Sequence, residues 1–352
     1  MRIAQIAPLF ESVPPRLYGG TERIVSYLTE ALVARGHHVT LFASGDSVTS
    51  ANLTSFRDTA LRLDPAPLKS PVAAHLSMLQ GIRERAAEFD VLHFHIDLLP
   101  LPLFADVAHK CVHTLHGRQD KQDLPQVYRR WSGYPLVSIS DRQRRPMPWA
   151  NWWRTIPHGM PLDLLTPPAL PHGDYLAFLG RISPEKGPDR AIEIARRSGL
   201  PLKVAAKVGE ADERYFRETI EPMLASADVE VEFVGEIGDA EKPGFLGNAA
   251  ALLFPIDWPE PFGLVMIEAM ACGTPVVAWR EGSVPEVVDD GVTGFVVDSI
   301  ERAVDAVREA RALDRHAVRR RFEERFGADR MAADYEALYI RMVEGKPQRM
   351  KA

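Results

Sequence analysis

Only two cysteines, Cys111 and Cys272, occur in 352 residues. Two thiols cannot build a disulfide framework. Both sit among apolar neighbours, so they read as small core residues of a protein from a reducing compartment. No run approaches the ~20 apolar residues of a membrane span. The chain enters "RIAQIA" directly, without the apolar stretch of a signal peptide. Cationic excess is missing too: the formal charge is −6 with 26% charged residues, which gives no reason to expect nucleic acid as a partner. The arginine-rich stretches at 142 to 145 and 317 to 321 read better as solvated faces than as phosphate sites. No HExxH or CxxC pattern supports a metal site, although His93, His95 and His113 lie on neighbouring strand candidates. The expectation is a soluble, cytoplasmic protein without a metal. Peripheral contact with a membrane surface and the oligomeric state stay open.

What the chain does have is hydrophobic content, 46%, in an alternating arrangement. Short apolar runs at 2–7, 38–43, 91–96, 111–115 and 136–139 predict strands, with a helix from Thr21 to Arg35 stopped by Gly36. Residues 60–72 read as a loop before a helix at 73–88. Their spacing allows crossover connections, so a parallel sheet covered by helices is favoured over a sandwich. The stretch 156–174 is dense in proline and glycine and reads as an interdomain connector. Beyond it the pattern restarts. Strands are expected at 175–180, 202–208, 229–234, 251–254, 275–278 and 295–297, and helices at 188–197, 212–225, 264–271 and 284–289. Three helical segments follow residue 301, the last at about 328–345. The halves repeat in style but not in sequence. Ligands of such sheets bind beyond the carboxyl ends of the strands, so a cleft between two domains is where chemistry is expected.

Four stretches could carry it. In "YGGTERIV" (18–25), Gly19 and Gly20 stand where a loop meets a helix start, where free amides attract phosphate oxygens. The bland alternative is a pair of turn glycines, and GxGxxG is not present. In "FLGRISPEKGPDR", Arg181 and Lys186 follow a strand. Two cations of complementary shape can neutralise a leaving diphosphate; the alternative is an ordinary charged loop with Lys186 paired to Glu185 or Asp189. His116 ends the strand at 111–115 just before Gly117, where a neutral imidazole can bond a ligand hydroxyl or serve as a satisfied strand-end residue. In "DWPEPFGLVMIEAMACGTPVVAW" (257–279), Glu260 lies at a loop tip and Phe262, Gly263, Leu264 and Val265 open a helix. Glu268 lies inside that apolar helix and needs a partner, which ribose hydroxyls could be; for both Glu260 and Glu268 the bland alternative is a capping or salt-bridging glutamate. Two glutamates alone do not make a glycosidase.

Together, the order GG, HG, GR…K and Glu260-PFGLVMI-Glu268, followed by "AMACGTPVVA" and "GSVPEVVDDGVTGFVV", resembles the family-4 retaining glycosyltransferases over nearly the whole chain. The resemblance implies a GT-B fold: two Rossmann-like parallel-sheet domains facing across a cleft, at 1–165 for the acceptor and 166–330 for the nucleotide sugar. A closing helix, 331–352, returns to the first domain. It implies transfer of a hexose from a UDP- or GDP-linked sugar to an acceptor hydroxyl, with no cofactor or metal. Gly19 and Gly20 would lie near the diphosphate, His116 and Glu260 would contact the sugar, and Arg181 and Lys186 would hold the diphosphate. The turn at 262–265 would face sugar and phosphate, and Glu268 would accept from the ribose. A GT-B epimerase, a phosphorylase and a non-catalytic nucleotide-sugar-binding protein are the rivals. One departure stands out: many relatives read Pro-Asn-Gly-Val-Asp where this chain has Pro157-His158-Gly159-Met160, with Asp163 later. Trp131, Trp149, Trp152 and Trp153 crowd the acceptor region, either to stack on an acceptor or to pack.

Overall fold

A computed structural model describes residues 1–345 apart from residue 227. The chain forms two compact units: Met1–Met160 joined by the chain from Ala328 onward, and Pro161–Gly327. Of the closing segment expected at 331–352, residues 346–352 lie outside the described residues.

The first unit holds seven strands: β1 (Arg2–Ile6), β2 (His38–Ala43), β3 (Asn52–Ser55), β4 (Val91–Phe94), β5 (Cys111–Thr114), β6 (Leu136–Ser138) and β7 (Trp152–Thr155). They pair in the order β3-β2-β1-β4-β5-β6-β7, parallel throughout. The second unit has six: β8 (Tyr175–Arg181), β9 (Leu202–Lys207), β10 (Val231–Gly235), β11 (Ala249–Phe254), β12 (Val276–Trp279) and β13 (Gly294–Val297). Their order is β10-β9-β8-β11-β12-β13, again parallel. Helices cover both faces of such sheets, so inner strands are buried on both sides and read as unbroken apolar runs; β4 and β11 are buried at every position. In each unit the strand order reverses once, between β1 and β4 and between β8 and β11. Loops diverge there, leaving a crevice at the carboxyl ends.

The helix Gly20–Ala34 buries Ile24, Val25, Leu28 and Leu32. Against it packs the closing helix Ala328–Val343, which buries Tyr335, Leu338 and Tyr339. Arg154 meets Asp334 at 2.7 Å, and His37 Nε2 lies 3.0 Å from Glu336. Partly exposed pairs of this kind contribute at most ~1 kcal/mol, so burial of the aromatic face holds the helix. Ala328 N donates to Met160 O at 2.9 Å, which pins together the two places where the chain leaves and re-enters the unit.

Several local expectations needed correction. The helix expected from residue 73 begins at Pro71, because Ser70 Oγ accepts from Ala73 N and proline suits a first helical position. The helix expected at 212–225 is broken into a 3-10 turn, Glu210–Asp212, a π turn, Phe216–Ile220, and short α segments around it. β3, β7 and the short helices Leu124–Arg130, Asp141–Arg144 and Lys242–Gly247 escaped notice, being too short and too polar for periodicity to register. Trp152 lies in β7, buried, its indole donating to Met147 O at 2.8 Å, so it packs. Trp149 remains exposed beneath the Arg129 guanidinium, 4.5 Å from its ring. Both cysteines are buried and free, and burial pushes the Cys272 thiol up to about 12.

Candidate active site

In the second unit, the loop after β8 (182–187) and the loop after β11 (255–263) flank the point where strand order reverses. Lys186 Nζ reaches across from the first loop to Glu260 Oε2 in the second. Trp258 Nε1 donates to the same oxygen at 3.0 Å, and the ammonium sits 4.6 Å from the Trp258 ring centre and 5.8 Å from that of Phe254. The loops are also joined by backbone, Asp257 N donating to Glu185 O at 2.8 Å. Glu260 is buried at 8% exposure, and these donors satisfy its carboxylate.

Two glycines make this geometry possible. Gly282 has φ +51 and stands so close to Glu260 that a Cβ would come within 2.3 Å of the Glu260 backbone nitrogen and oxygen. Gly263, φ +78, opens the helix Leu264–Ala271, and a Cβ there would meet Met266 Cε at 2.8 Å. No side chain caps this helix. The amides of Leu264 and Val265 therefore stand at a helix start without a side-chain acceptor, where an anion is favoured. Phe262 is buried and its carbonyl accepts from Ser283 Oγ at 2.7 Å.

Arg181 ends β8. Its Nη2 donates to Glu185 Oε1 at 2.7 Å, and its Nε lies 3.4 Å from Asp212 Oδ2. Both expected cations are thus already matched by carboxylates of the same unit. Glu268, 6% exposed, accepts from Lys242 Nζ at 2.7 Å. Lys242 also lies 3.0 Å from Asp239 Oδ1. Of the two alternatives for Glu268, the internal salt bridge is the one formed in this structure.

In the first unit, Gly19 and Gly20 begin the helix that follows β1, while His95 and His116 follow β4 and β5. All four line one cavity of about 660 Å³, together with Glu22 and Asp97. Burial pushes the Glu22 carboxyl up to about 7 and His116 down to about 3. His116 Nε2 lies 2.9 Å from His95 Nδ1, and its ring stacks on His158 with centroids 5.2 Å apart. The histidines do not form a metal cluster. His93 bonds Tyr339 and Thr114, whereas His113 lies on the other face, stacked on Phe94 at 4.9 Å. Among the described residues no group of three or more potential ligands is disposed to hold a metal ion. Nor is any described helix long and apolar enough to cross a membrane. A second cavity, about 620 Å³, lies in the second unit at the amino-terminal ends of β8 and β9, around Tyr175 and Leu202, at the opposite strand ends from Lys186 and Glu260.

Residue-by-residue reading missed Trp258, Asp212 and Lys242, and weighed His95 only as a metal ligand, not as the partner of His116. Trp258 was findable, two residues before Glu260 in the same loop. Lys242 was not, since no local pattern links it to a glutamate twenty-six positions later.

Comparison with known proteins agrees on the kind of chain this is. Residues 18–156 match the family model described as Glycosyltransferase Family 4, and residues 169–325 match that described as Glycosyl transferases group 1. The phosphatidyl-myo-inositol mannosyltransferase of Mycobacterium leprae is 29% identical over 359 residues, covering 92% of this chain and 90% of that protein. The D-inositol 3-phosphate glycosyltransferase of the same species is 34% identical over 183 residues, but the match spans only 46% of this chain and 38% of that relative. Among solved structures, AviGT4, a glycosyltransferase involved in avilamycin A biosynthesis, aligns with a TM-score of 0.74 at 25% identity, with 98% of each chain covered.

Proposed function

The chain belongs to the family-4 glycosyltransferases of GT-B fold, and from that premise we propose that it moves a hexose from a nucleoside-diphosphate sugar to an acceptor hydroxyl with the anomeric configuration retained. The observation that supports this reading is the Lys186–Glu260 contact beside the uncapped helix start at Gly263. It gathers a mobile cation, an acidic group and backbone donors on the two loops at the strand-order reversal.

In this scheme the donor diphosphate takes Glu260's place on Lys186 and bonds Arg181 and the amides at 263–265. Glu260, released from the ammonium, accepts hydrogen bonds from the transferred sugar, and Phe262 closes the turn behind it. The bond between the anomeric carbon and the diphosphate oxygen breaks as the acceptor oxygen bonds that carbon on the same face. The acceptor proton passes to the departing diphosphate. Charge building on that group is stabilised by the two cations and the helix start, the kind of preorganised contact worth ~2.7–4 kcal/mol per donor. The scheme calls for no metal. Glu268 receives the nucleotide ribose, with Lys242 holding its other side. Gly19, Gly20 and His116 are assigned to the same reaction on the family pattern, His116 as an acceptor for a sugar hydroxyl.

The donor is to be found by titrating UDP-glucose, UDP-GlcNAc and GDP-mannose against the full chain. Acceptor trials begin with inositol phosphates, because the two Mycobacterium leprae relatives described above carry inositol compounds in their names. NMR of the product reads the anomeric configuration. An inverted product, or an altered sugar released without any acceptor, overturns the proposal. Nucleotide-sugar binding with no turnover on any acceptor would instead mark a non-catalytic binder.

A further inference from the structure

Beneath His116 runs a chain of hydrogen bonds that crosses the sheet of the first unit and ends on the closing helix. His116 Nε2 lies 2.9 Å from His95 Nδ1, and His95 Nε2 lies 2.8 Å from Gln5 Oε1. Gln5 Nε2 donates to Tyr339 Oη at 3.1 Å. Tyr339 Oη is 2.7 Å from His93 Nδ1, His93 Nε2 is 2.8 Å from Thr114 Oγ1, and Thr114 Oγ1 is 2.8 Å from Tyr335 Oη. Gln5, His93, Tyr335 and Tyr339 are almost wholly buried, so none of them exchanges a partner for water.

The protons on such a chain are not independent. A neutral imidazole carries hydrogen on one nitrogen only, and a carbonyl oxygen can only accept. Gln5 Oε1 therefore requires hydrogen on His95 Nε2, which leaves His95 Nδ1 as an acceptor. His116 must then supply the hydrogen from Nε2. On the other side the Gln5 amide donates to Tyr339, Tyr339 to His93, His93 to Thr114 and Thr114 to Tyr335. Every group receives one bond and passes one on in the same direction. Burial lowers both His93 and His95 well below the ordinary imidazole value, which keeps the rings neutral.

We propose that Gln5 and His95, oriented from behind by Tyr339, lock His116 in the tautomer protonated at Nε2, so that its Nδ1 is an obligate acceptor for a ligand hydroxyl. Nδ1 bonds none of the described side chains, and His116 lines the first unit's cavity. A ligand presenting a hydroxyl there is bound, and one presenting only an ether or carbonyl oxygen is refused. Reversal needs the Gln5 amide to turn over and every proton of the chain to shift, because each link dictates the next. The inference rests on the reading of His116 as a ligand contact. Gln5, His95 and Tyr339 act through it as positioning residues.

The test reads the tautomer directly, without turnover. The full chain is labelled with ¹⁵N-histidine, and the His116 ring signals are identified by their loss in His116→Gln. The expected result is a protonated-type shift at Nε2 and a lone-pair-type shift at Nδ1. In Gln5→Glu, whose carboxylate still accepts from His95, this pattern persists. In Gln5→Met, which neither donates nor accepts, the single tautomer is lost and both shifts move toward their average. With substrate, Gln5→Met also lowers kcat/KM about fivefold to tenfold, the worth of one neutral hydrogen bond. A wild-type His116 protonated at Nδ1, or ring shifts untouched by Gln5→Met, overturns the proposal; should Gln5→Met fail to fold, the wild-type spectrum alone decides. If the spectra are as expected but His116→Gln transfers sugar at the wild-type rate, the ligand role of His116 fails while the tautomer lock stands.

Discussion

Replacing Lys186 by methionine keeps an aliphatic stem over Trp258 and Phe254 and removes the charge. Two effects separate. The first is on stability: Glu260, with a side chain 10% exposed, loses its cation but keeps the Trp258 indole N–H at 3.0 Å. Stranding a fully buried charge costs ~3–5 kcal/mol. Here the lysine is 21% exposed and one donor remains, so the cost should fall to about 1–2 kcal/mol. For a domain of this size that lowers the melting transition of the second unit by about 2–8 °C. The second effect is on rate. Without the ammonium the departing diphosphate loses a preorganised charge partner, and kcat should fall ~10²–10³-fold. The assay follows nucleoside diphosphate release with the donor identified by titration, beside calorimetry of the same preparation. The double variant Lys186→Met/Glu260→Gln, which leaves no stranded charge, should regain most of the lost stability and none of the lost turnover. A folded Lys186→Met protein that turns over at the wild-type rate refutes the assignment. So does a double variant that recovers activity along with stability.

Other outcomes follow from the same geometry. Gly282→Ala must relieve a 2.3 Å approach to the Glu260 backbone at positive φ, and should cost ~2–4 kcal/mol in the second unit while weakening nucleotide-sugar binding, both readable by thermal shift with and without donor. Lys242→Met should destabilise by ~3 kcal/mol because Glu268 is left buried, whereas Lys242→Met paired with Glu268→Leu should restore stability yet still lose nucleotide affinity; unchanged affinity in the pair would remove Glu268 from the ribose site. Acid should unfold the first unit before the second. Burial holds His93, His95, His113, His116 and His158 below their unfolded value. Their contribution is therefore complete above about pH 6.5 and is lost as pH falls below it, at up to ~1.4 kcal/mol per pH unit for each. Glu22, raised to about 7, works in the opposite direction over the same range but is a single group. Calorimetry between neutral and mildly acidic pH checks this, and a first-unit transition indifferent to pH contradicts it.

The two parallel sheets were legible because strands buried on both faces leave unbroken apolar runs, as in "VLHF" and "AAALLF". The helix 264–271 was legible to the residue, since glycine before it and Cys-Gly after it mark both ends. The broken helix after Glu210 was not, because a single π turn of five residues is too short to show in the apolar pattern of the segments around it. At the candidate site, motif order singled out the residue types, and Lys186 and Glu260 do meet. The partner expected for Lys186 in a charged loop, Glu185 or Asp189, is not the one it takes, because Glu260 reaches it from the other loop. The pairing of Arg181 with Glu185 and Asp212, or of Glu268 with Lys242, depends on which loop tips converge.

From the amino-acid order alone came the class of chain, the alternation of strands and helices, and the short set of candidate site residues. These properties are carried by local spacing and by side-chain chemistry. Tertiary structure alone decided that Gln5, at the start of the chain, and Tyr339, near its end, meet at 3.1 Å behind His116. Hydrogen bonds act over about 3 Å, and no spacing along a chain measures how strands and a returning helix stack in depth. The partner of a buried polar group is therefore chosen by packing.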